Sequence, residues 1–387
     1  MRGRRFLVAC IAVLGGLLWL GPAGQAAPAP DGAVYVQTNT APTNHVLVFN
    51  RSQNGTLTLA GRFATGGAGK PAENPPLGIP YIDTAGSVTL SDNGRFLFVV
   101  NAGDNTVSSF RVGPKGLQLA DREQTFGSRP ASSTSHGSLL YVLNSDTGSA
   151  SISGYRVDNN GALTPIRGSV KPTSSPANGI PAQIEFNAQG TLLAVTERQT
   201  FVGNGLITTY AVRKDGTTGP PVPHASSGKG PFGIAFTHDD LMIISNEHFP
   251  EVTESSVSSY DVSKEGDITP IDTAPANAGG ACWNVLTNDE KFVFITSPFT
   301  ANVNSFRLGK HGDLIPVNGT SVVATAGGAT LDVALSRNSR YLYVLVTPDF
   351  GQPRSVINAY LVNKDGTIRQ IGTTGPFEGS ASGAAAW

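Results

Sequence analysis

The stretch LFVVNAGDNTVSSFRVGPKGLQL, residues 97 to 119, decides how the rest of the chain is read. An apolar run ends at Asn101, a polar loop follows, an alternating run closes on Phe110, and a turn holding Gly116 leads into a further run. A run apolar at every position reads as a strand buried on both faces, and an alternating one as a half-buried strand. Glycine in the connection supplies the positive φ of a tight hairpin.

The same grammar recurs down the chain. Alternating runs end on Phe49, Phe110, Tyr155, Tyr210, Tyr260, Phe306 and Tyr360, and six residues after each stands a glycine: Gly55, Gly116, Gly161, Gly216, Gly266, Gly312 and Gly366. Before each aromatic run lies a more apolar one (VYVQTN, FLFVVN, LLYVLN, LLAVTE, LMIISNE, FVFITS, YLYVLV), and before that a first strand such as SVTLSDNG, QIEFNAQG or GIAFTHDD. The unit is four antiparallel strands in about 50 residues, the signature of a propeller blade. The fold class is therefore all-β, a seven-bladed β-propeller. Residues 32–39 (GAVYVQTN) begin at a second strand and residues 379–387 (GSASGAAAW) end after a first one. The tail is expected to complete the first blade, which leaves no free sheet edge.

The first 27 residues read as a secretory signal: MRGRR is basic, FLVACIAVLGGLLWL is apolar, and GPAGQAA offers small residues for a cut after Ala26 or Ala27. The apolar run, about fifteen residues, is short for a membrane span. Residues 28–387 are then one domain, secreted or periplasmic, with no span left after cleavage and expected to be a monomer. Cys10 leaves with the signal, so Cys282 has no internal partner and no disulfide forms. A formal net charge of −1 gives no electrostatic case for nucleic acid.

In such a ring the longer loops gather on one face, around the mouth of the central channel. That face carries Asp83, Asp104, Gln183, Glu197, Arg198, Glu247, His248, Trp283, Asp332 and Asp349 as candidates. Glu197 ends LLAVTE and Glu247 is read as its equivalent one blade on, so two carboxylates on adjacent blades have the chemistry to share a proton or hold a divalent cation. No resident cofactor is expected. Glu185 stands where other blades carry Thr89, Ala235 and Ala334, and a carboxylate there needs a partner or an altered pKa. The histidines show no metal-ligand spacing.

The phrasing DNGRFLFVVNAGDNTVSSFRV, with DGTIRQIG and GALTPI, resembles the lactonase-like seven-bladed propellers, which include bacterial 6-phosphogluconolactonase and fungal carboxymuconate-cyclising enzymes. The resemblance implies a histidine pair where Thr84 and Gly86 stand here, and an Arg-His where Ala182 and Gln183 stand. It implies an acid at Glu197, which is kept, and an Arg where Glu247 stands. The cations that the family's anionic substrates call for are missing at these positions. Two functions are expected from this reading. One is hydrolysis of a neutral lactone or ester, with Glu197 handling the proton and Gln183 and Arg198 polarising the carbonyl. The alternative is a non-catalytic propeller that binds a small molecule, glycan or protein through Glu247, His248, Asp332 and Asp104, with Trp283 and Phe249 as apolar anchors.

Overall fold

The computed structural model describes residues 31–70, 84–198, 203–347, 354–378 and 381–387. Seven antiparallel sheets succeed one another along the chain. Blade 1 is built from Gly32–Gln37, His45–Arg51 and Leu57–Ala64, and Ser382–Ala386 pairs with its first segment as the inner strand. Blades 2 to 7 open on the inner strands Val88–Leu90, Pro130–His136, Ile180–Phe186, Pro231–Phe236, Asn284–Leu286 and Ala329–Leu335. The closing register runs from Val34 opposite Ala386 to Gln37 opposite Ser382. Both the blade count and the closure by the tail are as the repeat predicts. Among the described residues the only helices are three single 3-10 turns, and no helix is long and apolar enough to cross a membrane. The expected signal, Asp83 and Asp349 lie outside the described residues.

The sequence signature has two physical causes. Every repeated aromatic is buried, from Phe49 to Tyr360, and such a side chain contributes on the order of 1.5–3 kcal/mol by leaving water. Every repeated glycine has φ between 76° and 99°. Space is the second cause. A Cβ on Gly216 would lie 2.8 Å from Leu139, one on Gly266 2.9 Å from Leu192, and one on Gly366 2.4 Å from Phe292. Leu139, Leu192 and Phe292 each sit at the start of the preceding blade's second strand, so the glycine turn of one blade is the seat of the next one round. Hydroxyls bind the same turns: Tyr141 donates to the Gly216 carbonyl at 2.6 Å, Thr209 to Gly266 at 2.9 Å and Tyr343 to Gly55 at 3.0 Å. Gly216→Val meets both obstacles, a branched side chain in the left-handed region and a collision with Leu139. It should cost on the order of 2–4 kcal/mol; a thermal melt unmoved by it would contradict this account of the turn.

Candidate functional site

Hydrogen bonds between blade ends define equivalent positions round the ring. The residue after each outer strand donates its amide to the carbonyl just before the third strand: Thr65 to Asn44, Thr125 to Asn105, Thr173 to Ala150, Ser226 to Gly205. Beneath these corners lies the second-strand residue that stands opposite the first residue of the third strand. Asn101, Asn144, Glu197 and Asn246 occupy that slot, as their strand registers show. Asn144 donates to the Thr125 carbonyl at 3.1 Å, and Asn246 to the Ser258 hydroxyl at 2.8 Å. Glu197 does the same work with a carboxylate. It is fully buried and accepts the amides of Ser174 and Ser175, both at 2.9 Å, and the Thr208 hydroxyl.

This corrects two expectations. Glu247 is not the equivalent of Glu197; Asn246 is. Glu247 matches Arg198, one residue further on, and the two meet across the seam between blades 4 and 5 with Nη1 to Oε2 at 3.2 Å, each side chain 7% exposed. The two-carboxylate arrangement expected to hold a cation is replaced by an ion pair. Among the described residues no group of three or more His, Cys, Asp or Glu side chains gathers as a metal site.

Beside the ion pair lies an aromatic pair. The Arg198 guanidinium lies 4.8 Å from the centre of the Phe232 ring, which meets Trp283 edge-on at 4.9 Å. Trp283 donates its indole N–H to the Thr84 carbonyl at 3.0 Å, and the Ala85 amide donates to the Ala182 carbonyl at 3.1 Å. The approach to blade 2 thus reaches blades 4 and 6, and Ala85, Ala182, Phe232 and Trp283 are all buried. Trp283 is therefore a packing residue, not an exposed anchor, and Phe249 is half-buried.

Gln183 and Asp332 share a role that the sequence reading missed. Each inner strand is the edge of its sheet, with amides that no strand of its own blade pairs. Gln183 accepts the Ile234 amide at 2.8 Å and donates to the Ile234 carbonyl at 3.2 Å. Asp332 accepts the Ala384 amide of the closing strand at 3.0 Å and the Val333 amide at 2.8 Å. Both groups stitch seams between blades. Glu185, half-buried, receives the Thr134 hydroxyl at 3.0 Å and the Gln183 amide at 3.1 Å, the partnered state expected of it. Burial raises its pKa to about 7 against these two hydrogen bonds. Asp104 pairs with Arg122 at 3.0 Å, and His248 lies 3.4 Å from Glu254. At three of the four corners a sequence signal was available, a Thr or Ser two residues before a glycine (Thr65, Thr125 and Ser226), and the slot follows by counting along the second strand; Thr173, at the Glu197 corner, has Ser175 in place of the glycine.

Burial likewise lifts the Asp332 carboxyl to about 7 from 3.8. The folded chain then keeps a proton that the unfolded chain releases from about pH 4 upward. This contribution to stability is present in acid and is lost as pH rises through 7, on the order of 4 kcal/mol in full. The melting temperature should be higher at pH 5 than at pH 8, and Asp332→Asn should shrink that difference. An unchanged pH dependence in the variant would contradict the assignment.

Comparison with known proteins agrees with this fold. Residues 34–175 match the family model described as Lactonase, 7-bladed beta-propeller. Over those residues the resemblance read from the repeat is borne out, and the chain folds as a seven-bladed propeller. Over the whole fold it is similar to a candidate 6-phosphogluconolactonase from Bacteroides fragilis, at 17% identity and TM-score 0.67, covering 94% of this chain and 100% of that one. It is equally similar to the periplasmic gluconolactonase of Pseudomonas aeruginosa, at 17% identity and TM-score 0.67, covering 92% and 98%. A hypothetical selenium-binding protein from Sulfolobus tokodaii shares the fold at 11% identity and TM-score 0.66, covering 93% and 94%. A sequence search of curated proteins gave no match. The fold is common to all three, and function must be argued from the site.

Proposed function

We propose that the protein hydrolyses a neutral lactone or comparable cyclic ester at the seam of blades 4 and 5. The observation that carries this reading is the Arg198–Glu247 pair, a cation and a carboxylate held together at equivalent positions of adjacent blades. Glu247 takes a proton from water as the hydroxide adds to the carbonyl carbon. The developing oxyanion faces the Arg198 guanidinium. Collapse breaks the ring C–O bond, and the proton returns from Glu247 to the leaving alkoxide to give a hydroxy acid. Because Glu247 already balances Arg198, the pair offers no surplus positive charge to an anion, which favours a neutral substrate. Gln183 and Glu197 act in this reading by positioning the strands that carry the pair. The chain is exported by residues 1–27 and acts as a monomer.

A panel of neutral lactones assayed by pH-stat tests the proposal. Hydrolysis above background is expected for at least one, with Glu247→Gln lowering kcat by about a hundredfold or more. Background rates across the panel would overturn it. The low exposure of the pair and the full coordination of Glu197 favour a second reading, binding without turnover through the same face.

A further inference from the structure

The corner between blades 2 and 3 departs from its equivalents. The residue following the corner threonine or its counterpart is Gly66, Phe126, Ser174, Ser227, Asn277 and Gly327 in successive blades, by the shared corner hydrogen bond. Four of these adopt positive φ: Gly66, Gly327, Asn277 and Phe126, the last at 56°. Glycine and asparagine tolerate that region; a bulky aromatic there is an outlier whose ring the fold does not need for the turn. The ring does not recover the strain by packing, since Phe126 is 56% exposed on the loop face. A second departure lies three residues on. Arg129 has φ 57° where blade 5 has Gly230, the match being fixed by Ser145 and Glu247 donating to their respective carbonyls.

This strained loop rests on the second-to-third strand loop of blade 2. The Thr125 amide and hydroxyl donate to the Asn105 carbonyl at 2.9 and 3.0 Å, and the Arg129 amide donates to Asn105 Oδ1 at 2.9 Å. Asn105 has positive φ as well. Next to it Asp104 accepts the Thr106 hydroxyl at 2.7 Å and pairs with Arg122, both partly exposed. Phe126 and Asp104 thus flank the Thr125–Asn105 hydrogen bond, an exposed aromatic ring following one partner and a carboxylate paired with a guanidinium preceding the other.

We infer that this corner is a carbohydrate subsite, in which Phe126 stacks on the C–H face of a neutral sugar ring and Asp104 and Arg122 take its vicinal hydroxyls. A sugar fits better than a protein partner. Of the other exposed large apolar residues among those described, only Leu119 belongs to blade 2, on its outer strand, and Leu59, Val170, Val222, Ile271 and Ile315 lie in other blades. A single ring gives far less apolar area than a stable protein interface of roughly 800 Å² per side. The inference is independent of the lactone reading and stands or falls without it.

Calorimetric titration with cello-, malto-, laminari- and chitohexaose tests it. The wild type should bind at least one saturably. Phe126→Asn, which puts into the slot the residue found at Asn277, should weaken that binding by at least about tenfold and raise the melting temperature. Arg122→Gln should weaken binding without raising it. No binding by the wild type, or equal binding by Phe126→Asn, would overturn the inference. So would a lower melting temperature in Phe126→Asn, because the ring would then be a packing element.

Discussion

Deleting residues 379–387 should abolish cooperative unfolding. The segment supplies the inner strand of blade 1, and its loss strips Val34–Gln37 of their partners. It also removes the buried Ala381 and Ser382, the Ala384 amide that holds Asp332, and Trp387. Trp387 donates its amide to Ala33 and lies 4.1 Å from the Arg337 guanidinium of blade 7. The ring would be left open, with a bare inner edge and a buried carboxylate short of a donor. The sum is on the order of 5 kcal/mol or more, comparable with the whole stability of many domains. The truncated chain should melt broadly and elute in part as aggregate. A sharp transition at the wild-type temperature would contradict closure by the tail.

Glu197→Ala should be nearly as damaging. The carboxylate accepts two consecutive amides, and the Thr208 hydroxyl also donates to it. Removing it leaves two part-buried amides and a buried hydroxyl without that acceptor, at a corner so close that a Cβ on Gly179 would come within 2.7 Å of Oε2. A loss of about 3 kcal/mol or more is expected, read as a lowered denaturant midpoint with unchanged slope.

The fold was legible because its repeat is enforced twice over. The spacing from Tyr210 to Gly216 survives since the glycine must both turn the chain and admit Leu139 from the neighbouring blade. Tail closure was legible from where the strand count begins and ends. The site was less so, because the loop face depends on offsets of one residue. Reading Glu247 as the partner of Glu197 missed that the turn between the first two strands is one residue shorter in blade 5. The registers set Asn246 opposite Ser256 just as Glu197 lies opposite Leu206. Trp283 looked like a surface anchor because nothing local shows that Thr84, from across the ring, accepts its indole N–H. Phe126 stood in plain sight, but only its φ marks it as exceptional.

The central claim is a division of labour at adjacent positions: Glu197 holds a loop while Glu247, with Arg198, carries the chemistry. Parallel measurement of thermal stability and lactone hydrolysis in Glu197→Gln and Glu247→Gln tests this most directly, with rates expressed per folded molecule. The prediction is a lowered melting temperature with wild-type kcat for Glu197→Gln, and a kcat near background for Glu247→Gln. A Glu197→Gln protein that melts like the wild type and has lost hydrolysis would contradict the assignment.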